Sequence, residues 1–216
     1  MTKINKHLPY DENDKYSIWE YSKKLLGKTL DEAVGGIPGE DNSGKGRLGQ
    51  MVERYFFGYE PNSDMNPDFA EAGLELKCTP VKELTRHALQ IKERLVCSMI
   101  DFSEDYKYSF KESHVYLKCA CMLILMYLHK ANVPVQNLKF LYSVLWQIPD
   151  KDLLIMEQDY NKIISKIKAG KAHELSEGDT TISELAEKVK KGILTDTIYC
   201  RQVLEVRFLL LSGHFH

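Results

Sequence analysis

Apolar residues recur at helical intervals through SIWEYSKKLLGKTLDEAV, at Trp19, Leu25, Leu26, Leu30 and Val34, and this spacing predicts helix. The glycines and proline of GGIPGEDNSGKG interrupt it. Helix is expected to resume in RLGQMVERYFFG, with Leu48, Val52, Tyr55 and Phe56 on one side and Gly58 as the stop. GLELKCTP and RLVCSMIDF read as strands. HVYLKCACMLILMYL is denser in apolar residues and has polar flanks, which predicts a strand buried on both faces in mid-sheet, with a core helix as the alternative. After Pro149, DKDLLIMEQDYNKIISKIKAG offers Asp150 as a cap and keeps Leu154, Ile155, Ile163, Ile164 and Ile167 at helical intervals up to Gly170. No internal repeat is visible. The pattern predicts an α/β fold, a central mixed β-sheet flanked by helices.

Composition narrows this picture. A chain of 216 residues with 44% hydrophobic and 28% charged positions is globular and long enough for a substantial core, so residues 1–216 are expected to form a single domain. The net charge of −2 does not draw nucleic acid to the molecule as a whole; a DNA partner must be met by a local basic patch. The polar start MTKINKHLPYDENDKYSIWEY has no secretory apolar region, and the longest apolar run, ACMLILMYLH, is too short to span a membrane. A cytoplasmic location is expected. Cys78, Cys97, Cys119, Cys121 and Cys200 are odd in number and contain no CxxC pair or histidine at ligand spacing, so reduced thiols are expected rather than disulfides or a zinc site.

Charge in an unexpected place points to chemistry. In NPDFAEAGLELKCTP, Asp68, Glu75 and Lys77 stand among small and apolar residues. On a strand, Glu75 and Lys77 project from one face and leave Leu74, Leu76 and Cys78 to the other. EAG before them suits a tight turn, with Gly73 as its permissive residue, so Asp68 can double back to face Glu75. Two carboxylates beside a lysine suit a hard divalent cation such as Mg²⁺ and phosphodiester hydrolysis. The same spacing also occurs on ordinary solvated strand faces.

The wider stretch GQMVERYFFGYEPNSDMNPDFAEAGLELKCTP resembles the core of the MutH and GATC-cleaving type II restriction endonuclease family, with Pro67-Asp68 and Glu75-Leu76-Lys77 matching its PD…ExK motif. The resemblance continues through IKERLVCSMIDF and IMEQDYNKIISKIKAGKAHELSEGDT, spans about residues 25–180, and is closer to the restriction-enzyme branch than to the mismatch-repair nicking enzyme. It implies a restriction-endonuclease-like core acting on double-stranded DNA at GATC, with a homodimer on DNA as a further expectation. Asp68 and Glu75 would hold Mg²⁺, Lys77 would orient or activate the attacking water, and Glu53 would reach the site from the preceding helix. An exposed helical glutamate is the alternative for Glu53. Lys92 and Arg94 would contact phosphates, with solvated charge as the alternative. His173, Glu174 and Ser176 would lie in a loop near DNA, where residue spacing alone reads a helix exit and a turn. His173 has no serine or cysteine nucleophile to serve as a general base.

The likeness is expected to stop after Thr180. The family pattern YLGACxKG followed by (K/Q)RAFSLK is replaced by TISELAEKV and LLLSGHFH. A shift of one base lets the nucleotides of Thr181–Val189 also encode YLGACRKG, and those of Leu211–His216 encode (K/Q)RAFSL in the same phase. Residues 181–216 are therefore read as an out-of-frame tail that replaces much of the base-reading part. The alternative is a divergent tail, for which TTISELAEKVKKG has acceptable helical spacing. Two rival functions stand beside a Mg²⁺-dependent endonuclease: a non-cutting DNA-binding pseudo-nuclease or effector domain, and a metal-independent interaction protein.

Overall fold

The computed structural model describes residues 8–37, 46–61, 64–83, 89–93, 95–176, 179–180, 183–190 and 193–200. In chain order the elements are α1 (Lys15–Ser22), α2 (Leu30–Val34), α3 (Arg47–Met51), β1 (Glu75–Glu83), β2 (Leu89–Ile91), β3 (Val96–Asp101), α4 (His114–Cys119), β4 (Cys121–Leu128), β5 (Phe140–Gln147), α5 (Asp150–Lys168), β6 (Ser183–Lys190) and β7 (Ile193–Cys200). They form two compact units, one from residues up to Glu93 with Met122–Trp146, the other from the remaining residues. Among the described residues no helix is long and apolar enough to cross a membrane.

The first unit holds a four-stranded sheet in the order β2-β1-β4-β5. It is mixed: β1 runs antiparallel to β2 and parallel to β4, with Glu75 opposite Met122 and Lys77 opposite Ile124. The first six residues of β4 are buried, as an apolar run covered on both faces requires. The expected strand over 114–128 is therefore shorter. Ser113 accepts a hydrogen bond from the Tyr116 N–H and caps a helix over the first part of that run.

The expected helix over 17–34 also divides. Gly27, at φ 78°, breaks it, and backbone exchange with β5 (Gly27 N–H to the Phe140 carbonyl, Phe140 N–H to the Lys28 carbonyl, both 2.9 Å) takes up groups that a continuous helix would use. A capping box between Thr29 and Glu32 then starts α2. Leu25 and Leu30 are buried while Leu26 is exposed.

Helix α3 continues as a π-helical turn over Val52–Phe57 and stops at Gly58, φ 80°. The wider turn delays the inward face, so Leu48 and Val52 are followed inside by both Phe56 and Phe57, while Tyr55 is only half-buried. Phe57 and Phe69 meet edge to face at 5.2 Å.

In the second unit, α4 packs on β3 and α5 packs on the short turns between β3 and α4. Tyr160 of α5 is buried, its hydroxyl donating to the Asp105 carbonyl at 3.1 Å and the Tyr108 carbonyl at 3.3 Å. Pro149, not Asp150, is the N-cap, and Asp150 and Asp152 instead complement the helix dipole in the first turn. Met156, Tyr160, Ile163 and Ile164 form the inward stripe; Leu154, expected inside, is exposed. A three-stranded antiparallel sheet has the order β3-β7-β6. Its β6–β7 pair occupies 183–200, where helical spacing was the alternative to an out-of-frame tail. The backbone instead alternates as strand. The expected closing segment Leu211–His216 lies outside the described residues.

Candidate active site

Asp68 and Glu75 are brought together by a small hairpin. Phe69 and Leu74 exchange both backbone hydrogen bonds, at 2.9 and 3.1 Å, and the Gly73 N–H closes the turn on the Ala70 carbonyl at 3.1 Å. Gly73 has φ 60°, a conformation that costs glycine little and other residues more. Each carboxylate is oriented across the hairpin by a backbone donor. Leu76 N–H donates to Asp68 Oδ2 at 2.9 Å, and Asp68 N–H donates to Glu75 Oε2 at 3.3 Å.

Both carboxylates are buried, which is rare for acidic groups without partners. Lys77 supplies one: its Nζ donates to Glu75 Oε1 at 2.7 Å. Glu75 and Lys77 therefore share one face of β1, while Leu74 and Leu76 enter the core. A carboxylate oxygen that accepts one hydrogen bond keeps a second lone pair, so these contacts orient the acids without exhausting them.

Glu53 lies in the π-helical turn after α3. That helix approaches β1 at Gly49, where an added Cβ would come within 4.0 Å of the Cys78 Cβ. Burial pushes the Cys78 thiol up, and the charges of Glu53 and Asp68 push it further, against the opposing effect of Lys77. Burial and the neighbouring carboxylates thus favour the neutral form of the Cys78 thiol. Glu53 shares the electrostatic surroundings of Asp68, but among the described residues no three His, Cys, Asp or Glu side chains are gathered to hold a metal ion. The geometry presents a carboxylate pair with a lysine, and Glu53 as a neighbour.

The remaining expected site residues have simpler surroundings. Lys92 follows β2, donates its backbone N–H to the Pro80 carbonyl at 2.9 Å and pairs with Glu93 at 3.0 Å. Arg94 lies outside the described residues. In the second unit, His173 and Glu174 sit in a short 3₁₀ turn, both exposed. Ser176 donates its N–H to Asp179 Oδ2 at 2.9 Å, and Lys166 Nζ reaches the same oxygen at 2.7 Å.

Tyr59 is absent from the residues read out of the motif. Its hydroxyl oxygen is buried and has no hydrogen-bond partner among the described residues, and its phenol is pushed well above the usual range by burial and then by Asp68, Glu53, Tyr10 and Glu75. A tyrosine one residue past a helix-stopping glycine was the available signal.

The family model for the DNA mismatch repair enzyme MutH matches residues 57–159, which take in Asp68, Glu75 and Lys77. The type II restriction enzyme Sau3AI of Staphylococcus aureus is 34% identical over 169 residues, 77% of this chain but only 34% of that enzyme. The chain thus spans about a third of that relative's length. The DNA mismatch repair protein MutH of Yersinia enterocolitica is 22% identical over 195 residues, covering 88% of this chain and 83% of that protein. That of Shewanella amazonensis is 24% identical over 189 residues, 86% and 81%. With a mixed sheet whose first strand carries the Glu-Leu-Lys element opposite a hairpin aspartate, the chain is similar to the MutH-like restriction endonucleases across the segment that holds the acidic pair.

Proposed function

We propose that this chain is a Mg²⁺-dependent endonuclease that hydrolyses phosphodiester bonds of double-stranded DNA at GATC sites. The observation that carries the reading is the buried Asp68–Glu75 pair, set by the hairpin's own backbone donors with Lys77 bonded to Glu75. Enzymes of the restriction-endonuclease-like family generally use divalent metal ions. The residues fit such an ion: Mg²⁺ is usually bound through one or two carboxylates and completes its shell with waters and substrate phosphate oxygens.

When bound, the cation supplies a more acidic water and a counter-charge to the phosphorus centre. The chain's residues do the positioning. Asp68 and Glu75 hold the cation, and the backbone N–H groups of Leu76 and Asp68 keep their oxygens aimed across the hairpin. Lys77, anchored on Glu75, presents its ammonium where it can orient a water or offset charge on a phosphate oxygen. Glu53 adds negative charge beside the pair. Lys92 and Arg94 are assigned to phosphate contacts, and His173 and Ser176 to a DNA-facing loop, with two copies acting together on the duplex in the cytoplasm. Residues 181–216 show no (K/Q)RAFSLK pattern, and weak discrimination of GATC belongs to the same proposal.

Supercoiled plasmid incubated with the 216-residue chain tests the reading. Mg²⁺-dependent nicking or linearisation, absent in Asp68→Ala, is expected. Fragments ending at GATC establish the site, whereas cleavage without pattern leaves chemistry without readout. DNA binding with no cleavage under any divalent ion would assign the chain to the non-cutting class.

A further inference from the structure

Tyr59 stands where α3 and its π-helical continuation end. Gly58, at φ 80°, turns the chain, and the Tyr59 N–H donates back to the Glu53 carbonyl at 3.1 Å. The Tyr59 ring then packs edge to face on Phe69, with centroids 5.2 Å apart. Phe69 directly follows Asp68, and its hairpin partner Leu74 directly precedes Glu75. The tyrosine is thus clamped from both sides onto the two turns that carry the acidic residues. Asp68, Glu53 and Glu75 all act electrostatically on its phenol.

The hydroxyl oxygen of Tyr59 is nevertheless buried and, among the described residues, without a hydrogen-bond partner. Such a group loses its hydration and gains nothing in return, and native proteins keep one mainly where a water, ion or ligand completes it. A water in a cation's shell has committed a lone pair to the metal and can only donate outward. A phenol oxygen matches that polarity, because its lone pairs can accept such a hydrogen bond.

We infer that the Tyr59 hydroxyl is a positioning group of the cation site, accepting a hydrogen bond from a water of a divalent cation held at Asp68 and Glu75. The inference rests on the reading of those two acids as metal ligands. Its consequence is that the hydroxyl contributes to cation binding and not to the cation-free fold. Groups that orient metal-bound ligands by hydrogen bonds, without touching the metal, typically change metal affinity about 10–100-fold.

Tyr59→Phe removes one oxygen and keeps the ring on Phe69. Calorimetric titration with Mn²⁺ and thermal melts with and without Mn²⁺, on the full 216-residue chain, separate the outcomes, with Asp68→Ala as the non-binding reference. The expected result is a Mn²⁺ affinity at least about tenfold weaker and a smaller Mn²⁺-induced rise in Tm. Without cation the variant is expected to melt no lower than wild type, since it loses only an unsatisfied group; a purely structural hydroxyl would lower this melt instead and leave the Mn²⁺ affinity alone. Equal Mn²⁺ affinities overturn the role of Tyr59 and leave the carboxylate site standing. A wild-type chain that takes up no Mn²⁺ overturns the metal site and this inference together.

Discussion

Alanine at Gly73 tests whether one backbone angle sets Asp68 against Glu75. Among the described residues no heavy atom lies within 4 Å of the position its Cβ would take, so the change meets no clash there and its cost is conformational. At φ 60°, an L-residue pays about 1–2 kcal/mol. The lower entropy of alanine in the unfolded chain offsets about 0.4–1 kcal/mol of this. The expected net loss is about 1 kcal/mol, or a Tm lower by about 2–4 °C for a chain of this size. Strain can also be relieved by opening the turn, which stretches the Phe69–Leu74 pair and draws Asp68 away from Glu75. Mn²⁺ affinity should then fall along with Tm. Gly73→Asn, whose side chain is more tolerant of the left-handed region, should lose less of both. Thermal melts and calorimetry on the two variants provide the readout. An alanine variant as stable as wild type, or one outlasting the asparagine variant, would refute the proposed role of this angle.

Further perturbations probe other links between sequence, packing and function. Glu75→Gln removes charge without altering shape; it should abolish Mg²⁺-dependent plasmid cleavage while gel-shift binding in Ca²⁺ persists, because phosphate contacts are untouched. Leu123→Ala empties a fully buried place in β4 and should cost about 2–5 kcal/mol in denaturant unfolding. Tyr160→Phe should cost about 1 kcal/mol, since its hydroxyl serves the carbonyls of Asp105 and Tyr108. Lys166 above all holds the Asp179 carboxyl below its usual range, with the Ser176 N–H adding to the effect. A depressed acid stabilises the fold above its unfolded pKa of about 4 and loses that contribution as pH falls through the folded value. Asp179→Asn should therefore be less stable than wild type near pH 7, and melts repeated into acid should show the gap closing.

The strand GLELKCTP, its same-face pair Glu75 and Lys77, and the turn at Gly73 were legible in the sequence because they depend on local rules: alternation along a strand and the steric freedom of glycine. The buried run of β4 was legible for the same reason, since an apolar stretch without polar interruption has to be covered on both sides. Elements whose boundaries depend on distant partners were not. The break at Gly27 is made by hydrogen bonds to Phe140, far along the chain, and the inward turn of Phe57 depends on a π-helical register that no regular period announces. Leu154 fits a helical stripe but faces solvent, because the neighbours of α5 select a stripe through Met156 and Tyr160. The acidic pair itself is a tertiary fact: the motif names Asp68 and Glu75, but only the exchanged bonds of Phe69 and Leu74 place one carboxylate on the other's backbone. Tyr59 belongs wholly to this second kind, since a buried hydroxyl without a partner is defined by what surrounds it in space, and no pattern along the chain encodes that.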